Sequence, residues 1–132
     1  MNRILIAVLA GLAATATPPA QAATPAEILA AYTAKAGGTP SAERGKELFS
    51  RSFRGGLFTS CAECHGDPLK NGKDQTAEKT IRPLAPAAWP QRFTDAAKVE
   101  HQFKLNCKDV TGRECTALEK ADVMSWLISL KP

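Results

Sequence analysis

What this chain lacks excludes several classes at once. No stretch alternates apolar and polar residues convincingly enough for a β-strand, which removes sandwiches and barrels. No apolar run reaches the ~20 residues that span a bilayer; the run from Ile4 to Ala14 is too short. There is no internal repeat of the kind that marks a solenoid. Ser/His/Asp sets, carboxylate pairs with a pocket rationale and phosphate-cradling glycine loops are all missing. The formal charge is only +4, from 17 basic and 13 acidic residues, with no basic stripe interleaved with aromatics. Nucleic acid is therefore not an expected partner. Histidine and methionine are scarce, two of each in 132 residues, so chemistry that depends on them has few positions to use.

What is present begins with Arg3, an apolar core from Ile4 to Ala14 and an Ala-x-Ala ending at Ala20-Gln21-Ala22. These are the three parts of a secretory signal peptide. Residues 1–22 are read as that signal, and residues 23–132 as one small domain released into the periplasm, not embedded in the membrane. A domain of this size buries a modest core and needs a covalent or metal staple. Four cysteines in an exported chain fit that need.

The remainder reads as helices. "TPAEILAAYTAKAGG" has Thr24 as cap, Pro25 in the first turn, Glu27 completing a capping box and Gly37 as stop. "SAERGKELFS" is a second helix with Leu48 and Phe49 inward; Gly45 in its middle costs ~1 kcal/mol against Ala, which a close helix crossing would explain. "RPLAPAAWP" contains Pro83, Pro86 and Pro90, which forbid helix and strand interiors. "RFTDAAKVEHQFKLN" is the third clear helix, capped by Thr94 or Asp95 and ending at Asn106. The last opens on the Thr116–Glu119 capping box and runs to about Leu130, with Leu118, Val123, Trp126, Leu127 and Leu130 in its buried stripe. The class is all-α.

"CAECHG", Cys61 to Gly66, is the attachment signal for covalent c-type haem. Two thiols three residues apart on a helical turn can each form a thioether to a vinyl group. The following imidazole, His65, then points at the iron. A thioredoxin-like pair would need a βαβ setting, and a zinc site would need a second Cys-x-x-Cys or a His pair; neither is present. A plain disulfide leaves His65 unexplained. Loss of Arg3 with the signal would leave a net charge of +3, from 16 basic and 13 acidic residues, which two ionised haem propionates would nearly cancel.

The other iron face has few candidates. Met1 leaves with the signal, Met124 lies mid-helix as a core side chain, and His101 reads as solvated between Glu100 and Gln102. Asn106 shares a helical face with Val99, Gln102 and Phe103. His101 lies about 140° around the same helix, so the two cannot both face the iron. Asn106 stands beside Cys107, and a Cys107–Cys115 bridge would pin the backbone that aims it. On spacing alone, ligation and a helix C-cap both remain open for Asn106.

The segments "AERGKELF", "CAECHG", "RPLAPAAWPQRFTDAAKVE" and "NCKDVTGRECTALEKADVMSWL" together resemble the sphaeroides haem protein family of exported monohaem cytochromes c. The resemblance implies a class I cytochrome c-like fold, four to five helices wrapped around one covalent haem c. It implies thioethers at Cys61 and Cys64, proximal His65, distal Asn106 and a Cys107–Cys115 disulfide. His101 falls where no family histidine is expected, so bis-histidine ligation stays as an alternative.

An amide oxygen is a weak, hard donor that ferric iron tolerates better than ferrous iron does. The expectation is that Asn106 leaves on reduction and that O2, NO or CO can then bind, as the resemblance also implies. The alternative is a simple electron carrier with a fixed sixth ligand; a purely structural haem is a third reading. Any enzymatic activity would have to run on the iron. The resemblance implies a dihaem cytochrome c or a membrane cytochrome b as electron donor. Lys70, Lys73, Lys79 and Arg82 could form a basic docking rim or an ordinary solvated loop. Phe49, Trp89, Phe93, Trp126 and Leu127 read as core and pocket packing. Pro83, Leu84 and Pro86 read as the proximal wall, with a carbonyl accepting from the second His65 nitrogen.

Overall fold

Each helix begins on a side chain able to satisfy its first free amides. In the computed structural model, which describes residues 22–132, Thr24 caps α1 (Pro25–Ala36) and accepts from the Glu27 amide at 3.2 Å. The Glu27 carboxylate returns a bond to the Thr24 amide at 2.7 Å. The signal peptide read from the sequence, apart from Ala22, lies outside the described residues. Ser41 caps α2 (Ala42–Ser50), and Ser60 caps the short α3 (Cys61–His65). Asp95 caps α4 (Ala96–Thr111), and the Thr116–Glu119 box opens α5 (Ala117–Ser129).

Two features depart from the sequence reading. A ladder of two residues a side pairs β1 (Gly72–Lys73) antiparallel with β2 (Thr80–Ile81). It closes the polar segment after α3 into a hairpin and adds no layer. Second, α4 runs on past Asn106 to Thr111 and stops at Gly112 in the left-handed conformation. Nothing in "LNCKDVT" breaks a helix, and the Thr111 hydroxyl folds back on the Cys107 carbonyl at 2.8 Å. Asn106 is therefore an interior helical residue, and the C-cap role falls to Gly112.

The core forms where α1 and α2 both pack on α5. Ile28, Tyr32, Leu48, Phe93, Val99, Met124 and Leu127 meet there, with Met124 fully buried. Truncating one such side chain to alanine costs ~2–5 kcal/mol. Gly45 lies at the crossing of α2 and α5, where its backbone abuts Asp122, so the close crossing that would explain a mid-helix glycine exists. Asp122 is buried and fully engaged: it accepts from the Ser41 amide at 2.6 Å and from the Arg44 guanidinium by two bonds of 2.8 Å. That fork locks the start of α2 to α5. No helix among the described residues is long and apolar enough to cross a membrane.

Candidate haem site

The Ser60 cap and the Cys61–His65 turn set two thiols and an imidazole on one short element. Cys61 and Cys64 are both free thiols, whereas Cys107 and Cys115 are bonded to each other with their Cα atoms 5.6 Å apart. Burial pushes the Cys61 thiol up to about 11. Burial, together with the positive charge of Arg92, pushes the His65 imidazole down to about 4. At neutral pH the ring is therefore uncharged and keeps the lone pair a metal ligand needs.

A cavity of about 540 Å³ opens beside this turn, within the ~300–1,000 Å³ of small-molecule and cofactor sites. Cys61 and His65 line it from α3, Leu48 and Phe49 from α2, Val99, Phe103 and Asn106 from α4, and Val123 and Leu127 from α5. Asn106 and His65 border a second, smaller cavity of about 270 Å³ as well, with Cys64 and Phe58. Phe49 packs against both neighbouring rings, its own lying 6.2 Å from that of His65 and 5.0 Å from that of Trp126. Met124 is sealed in the core and His101 is exposed; neither borders either cavity.

Two free thiols, a neutral imidazole and an apolar cavity fit a covalently held haem. Among the described residues, no three His, Cys, Asp or Glu side chains gather as the donors of a bare metal ion would. The proximal hydrogen bond read from the sequence is not made. His65 Nδ1 is buried without a partner, while the Pro83 carbonyl accepts from Arg92 Nε at 2.9 Å and the Arg82 carbonyl from the same guanidinium at 2.7 Å. Of the three proposed wall residues, Leu84 alone borders the cavity. Two of the four rim cations have carboxylate partners, Lys70 with Asp67 at 3.5 Å and Lys73 with Glu78 at 4.0 Å, while the Arg82 guanidinium lies 4.1 Å over the Trp89 ring and keeps its charge.

Sequence reading missed Arg92, a half-buried cation at the cavity with no carboxylate in reach. It also missed the docking of the 53–59 loop on α4. The Leu57 and Phe58 amides both donate to the Asp109 carbonyl, at 2.6 and 3.0 Å. That approach needs Gly56, since a Cβ there would lie 2.1 Å from the same oxygen. The paired glycines of "RGGLF" were the available signal.

A domain family described as of unknown function (DUF1924) matches residues 35–127. The cytochrome c-type protein SHP of Cereibacter sphaeroides is 47% identical over 96% of this chain and 98% of its own length. The chain belongs to the SHP family of c-type cytochromes. Like its relatives, this SHP-family protein carries one covalent haem c. Its fold matches oxidised SHP, described as an oxygen-binding cytochrome c, with a TM-score of 0.78 and 46% identity over 81% of this chain and 97% of that one. Cytochrome c'' of Methylophilus methylotrophus is also similar, 40% identical over 68% of this chain and 65% of its own length. Oxidised cytochrome c'' matches in structure with a TM-score of 0.71 and 33% identity, covering 82% and 95% of the two chains.

Proposed function

We propose that this cytochrome is an exported redox protein that binds diatomic gases after reduction, with Asn106 as a detachable distal ligand. Cys61 and Cys64 would hold the haem by thioethers and His65 would ligate its iron, with residues 23–132 as the mature domain after loss of residues 1–22. The observation that carries this reading is that His65 and Asn106, from α3 and α4, line one cavity, while Met124 and His101 do not. Asn106 is also free of capping duty, because Gly112 ends the helix. The oxygen binding ascribed to SHP supports the same reading, as does the haem-ligand detachment for which the cytochrome c'' solution structure was analysed. The Cys107–Cys115 bridge suits an oxidising compartment such as the periplasm.

When bound, the haem supplies a one-electron couple, and its reduced form favours softer ligands over an amide oxygen. The Asn106 carboxamide would offer such a hard oxygen donor, which an oxidised haem iron would hold and a reduced one would hold less well. Once free, its N–H group can donate a hydrogen bond to a diatomic guest in the same cavity. His65, kept neutral by burial, remains the constant ligand. Electrons come from a redox partner, a dihaem cytochrome c or a membrane cytochrome b by family resemblance.

Optical and electron-spin spectra of ferric and ferrous protein, with and without carbon monoxide, test this reading. The expected result is rapid carbon monoxide binding by the ferrous form and an altered ferric spectrum in Asn106→Ala. A ferrous spectrum indifferent to carbon monoxide, with Asn106→Ala spectrally unchanged, leaves a simple carrier with another sixth ligand.

A further inference from the structure

The helix that carries Asn106 is attached unlike the others. α1 and α2 lie directly against α5, but α4 has no comparable helix-to-helix packing with any of them. Side chains and loop contacts hold it instead. Near its C-terminal end the attachments are the Cys107–Cys115 bridge and the Leu57 and Phe58 amides on the Asp109 carbonyl. Toward its N-terminal half Val99 enters the apolar core, and beside it a polar cluster tethers the helix. Glu100 of α4 accepts from Lys120 Nζ of α5 at 2.7 Å through one oxygen, and from the Tyr32 hydroxyl of α1 at 2.7 Å through the other.

The cluster is built with care for position. Lys120 is only 5% exposed, and its ammonium lies 5.6 Å from the centre of the Tyr32 ring. The Tyr32 ring in turn meets the Phe103 ring edge-on, with centroids 5.8 Å apart. Glu100, Phe103 and Asn106 follow one another at three-residue spacing on α4. A carboxylate fixed at Glu100 therefore fixes the helix about 9 Å, six residues, before the distal side chain. Stability alone does not call for a buried ammonium there, because an apolar side chain of similar size would serve as well or better. What an ion pair adds is a defined register between three helices.

We propose that Tyr32, Glu100 and Lys120 are positioning residues that set α4, and with it the Asn106 carboxamide, against the haem. They govern how readily that ligand leaves the oxidised protein. The proposal rests on the reading of Asn106 as the distal ligand.

Four variants of the haem-loaded protein test it by the rate at which imidazole enters the ferric site, with ferrous carbon monoxide binding measured alongside. Lys120→Met cuts the tether while keeping the buried volume, and Tyr32→Phe removes one bond and leaves the ring packing. Both should accelerate ferric exchange, by about two- to thirtyfold, with ferrous carbon monoxide binding unchanged because Asn106 has already left. Met124→Ala, a core truncation away from the cavity, should lower the unfolding midpoint without changing ferric exchange. The positioning role is overturned if Lys120→Met and Tyr32→Phe exchange at the wild-type rate, or if Met124→Ala accelerates exchange as much as they do. Asn106→Ala separates the two ideas. Fast exchange in it with wild-type rates in the tether variants sinks the tether alone. Wild-type exchange in it sinks the ligand reading and the tether together.

Discussion

Gly45→Ala sets two physical effects against each other, and the structure decides the sign. Helix propensity by itself predicts a gain of ~1 kcal/mol for alanine inside α2. The crossing with α5 predicts a loss. A methyl carbon at this position would lie 2.0 Å from the Asp122 carbonyl oxygen, 2.4 Å from its carbon and 2.8 Å from the Val123 nitrogen. Ordinary contact begins at 3.4 Å, so the two helices must part by the difference between 3.4 and 2.0 Å, about 1.4 Å. The blocking atoms are helical backbone and cannot swing aside as a side chain would. Parting the helices also loosens the Asp122 fork to Ser41 and Arg44 and lifts Phe49 from Trp126 and His65. Overpacking of this kind costs ~1–3 kcal/mol, and the backbone clash places it at the upper end. The net loss is then ~2 kcal/mol. At a typical urea slope of ~2 kcal/mol/M, the unfolding midpoint of the ferric holoprotein should fall by ~1 M. Chemical unfolding followed by far-ultraviolet circular dichroism gives the number. A variant as stable as the wild type, or more stable, would refute the crossing geometry.

Other expectations concern the segment between α4 and α5. Arg113 holds the Glu119 carboxyl down to about 2 by two bonds of 2.6 and 2.8 Å, with the Thr116 cap assisting against partial burial. The folded chain thus binds this proton less tightly than the unfolded chain. The contribution is complete above an unfolded value near 4.5 and drains away as the pH falls toward 2. Because the Arg113 side chain is 51% exposed, solvent screening limits the effect to ~1 kcal/mol. Glu119→Gln should flatten that part of the acid unfolding curve; an unchanged slope between pH 5 and 2 counts against the pair. Replacing Cys107 and Cys115 by serine removes a bridge with a sequence separation of 8. The loss should be ~2–3 kcal/mol in urea unfolding. Faster ferric ligand exchange should accompany it, since Asn106 stands next to Cys107; exchange at the wild-type rate would show that the bridge does not aim the ligand.

Local chemistry made much of this protein legible in its sequence. Capping boxes at Thr24 and Thr116 fixed the starts of α1 and α5 because each is a contact within four residues. Cys61, Cys64 and His65 announced a haem because the attachment chemistry is itself a short-range pattern. The length of α4 was misread because a lone asparagine resembles a stop, while the actual stop, Gly112, lies beyond a residue that continues the helix. Tertiary structure alone decided the rest. It showed which of Asn106, Met124 and His101 borders the cavity, that Gly45 meets Asp122, that Arg92 occupies the Pro83 carbonyl, and that Tyr32 and Lys120 converge on Glu100. Gly45 and Asp122 lie 77 residues apart and Tyr32 and Lys120 lie 88 apart, and no periodicity in either segment specifies the other. Packing of α1 and α2 on α5, driven by burial of apolar surface, sets Gly45 against Asp122 and Tyr32 beside Lys120.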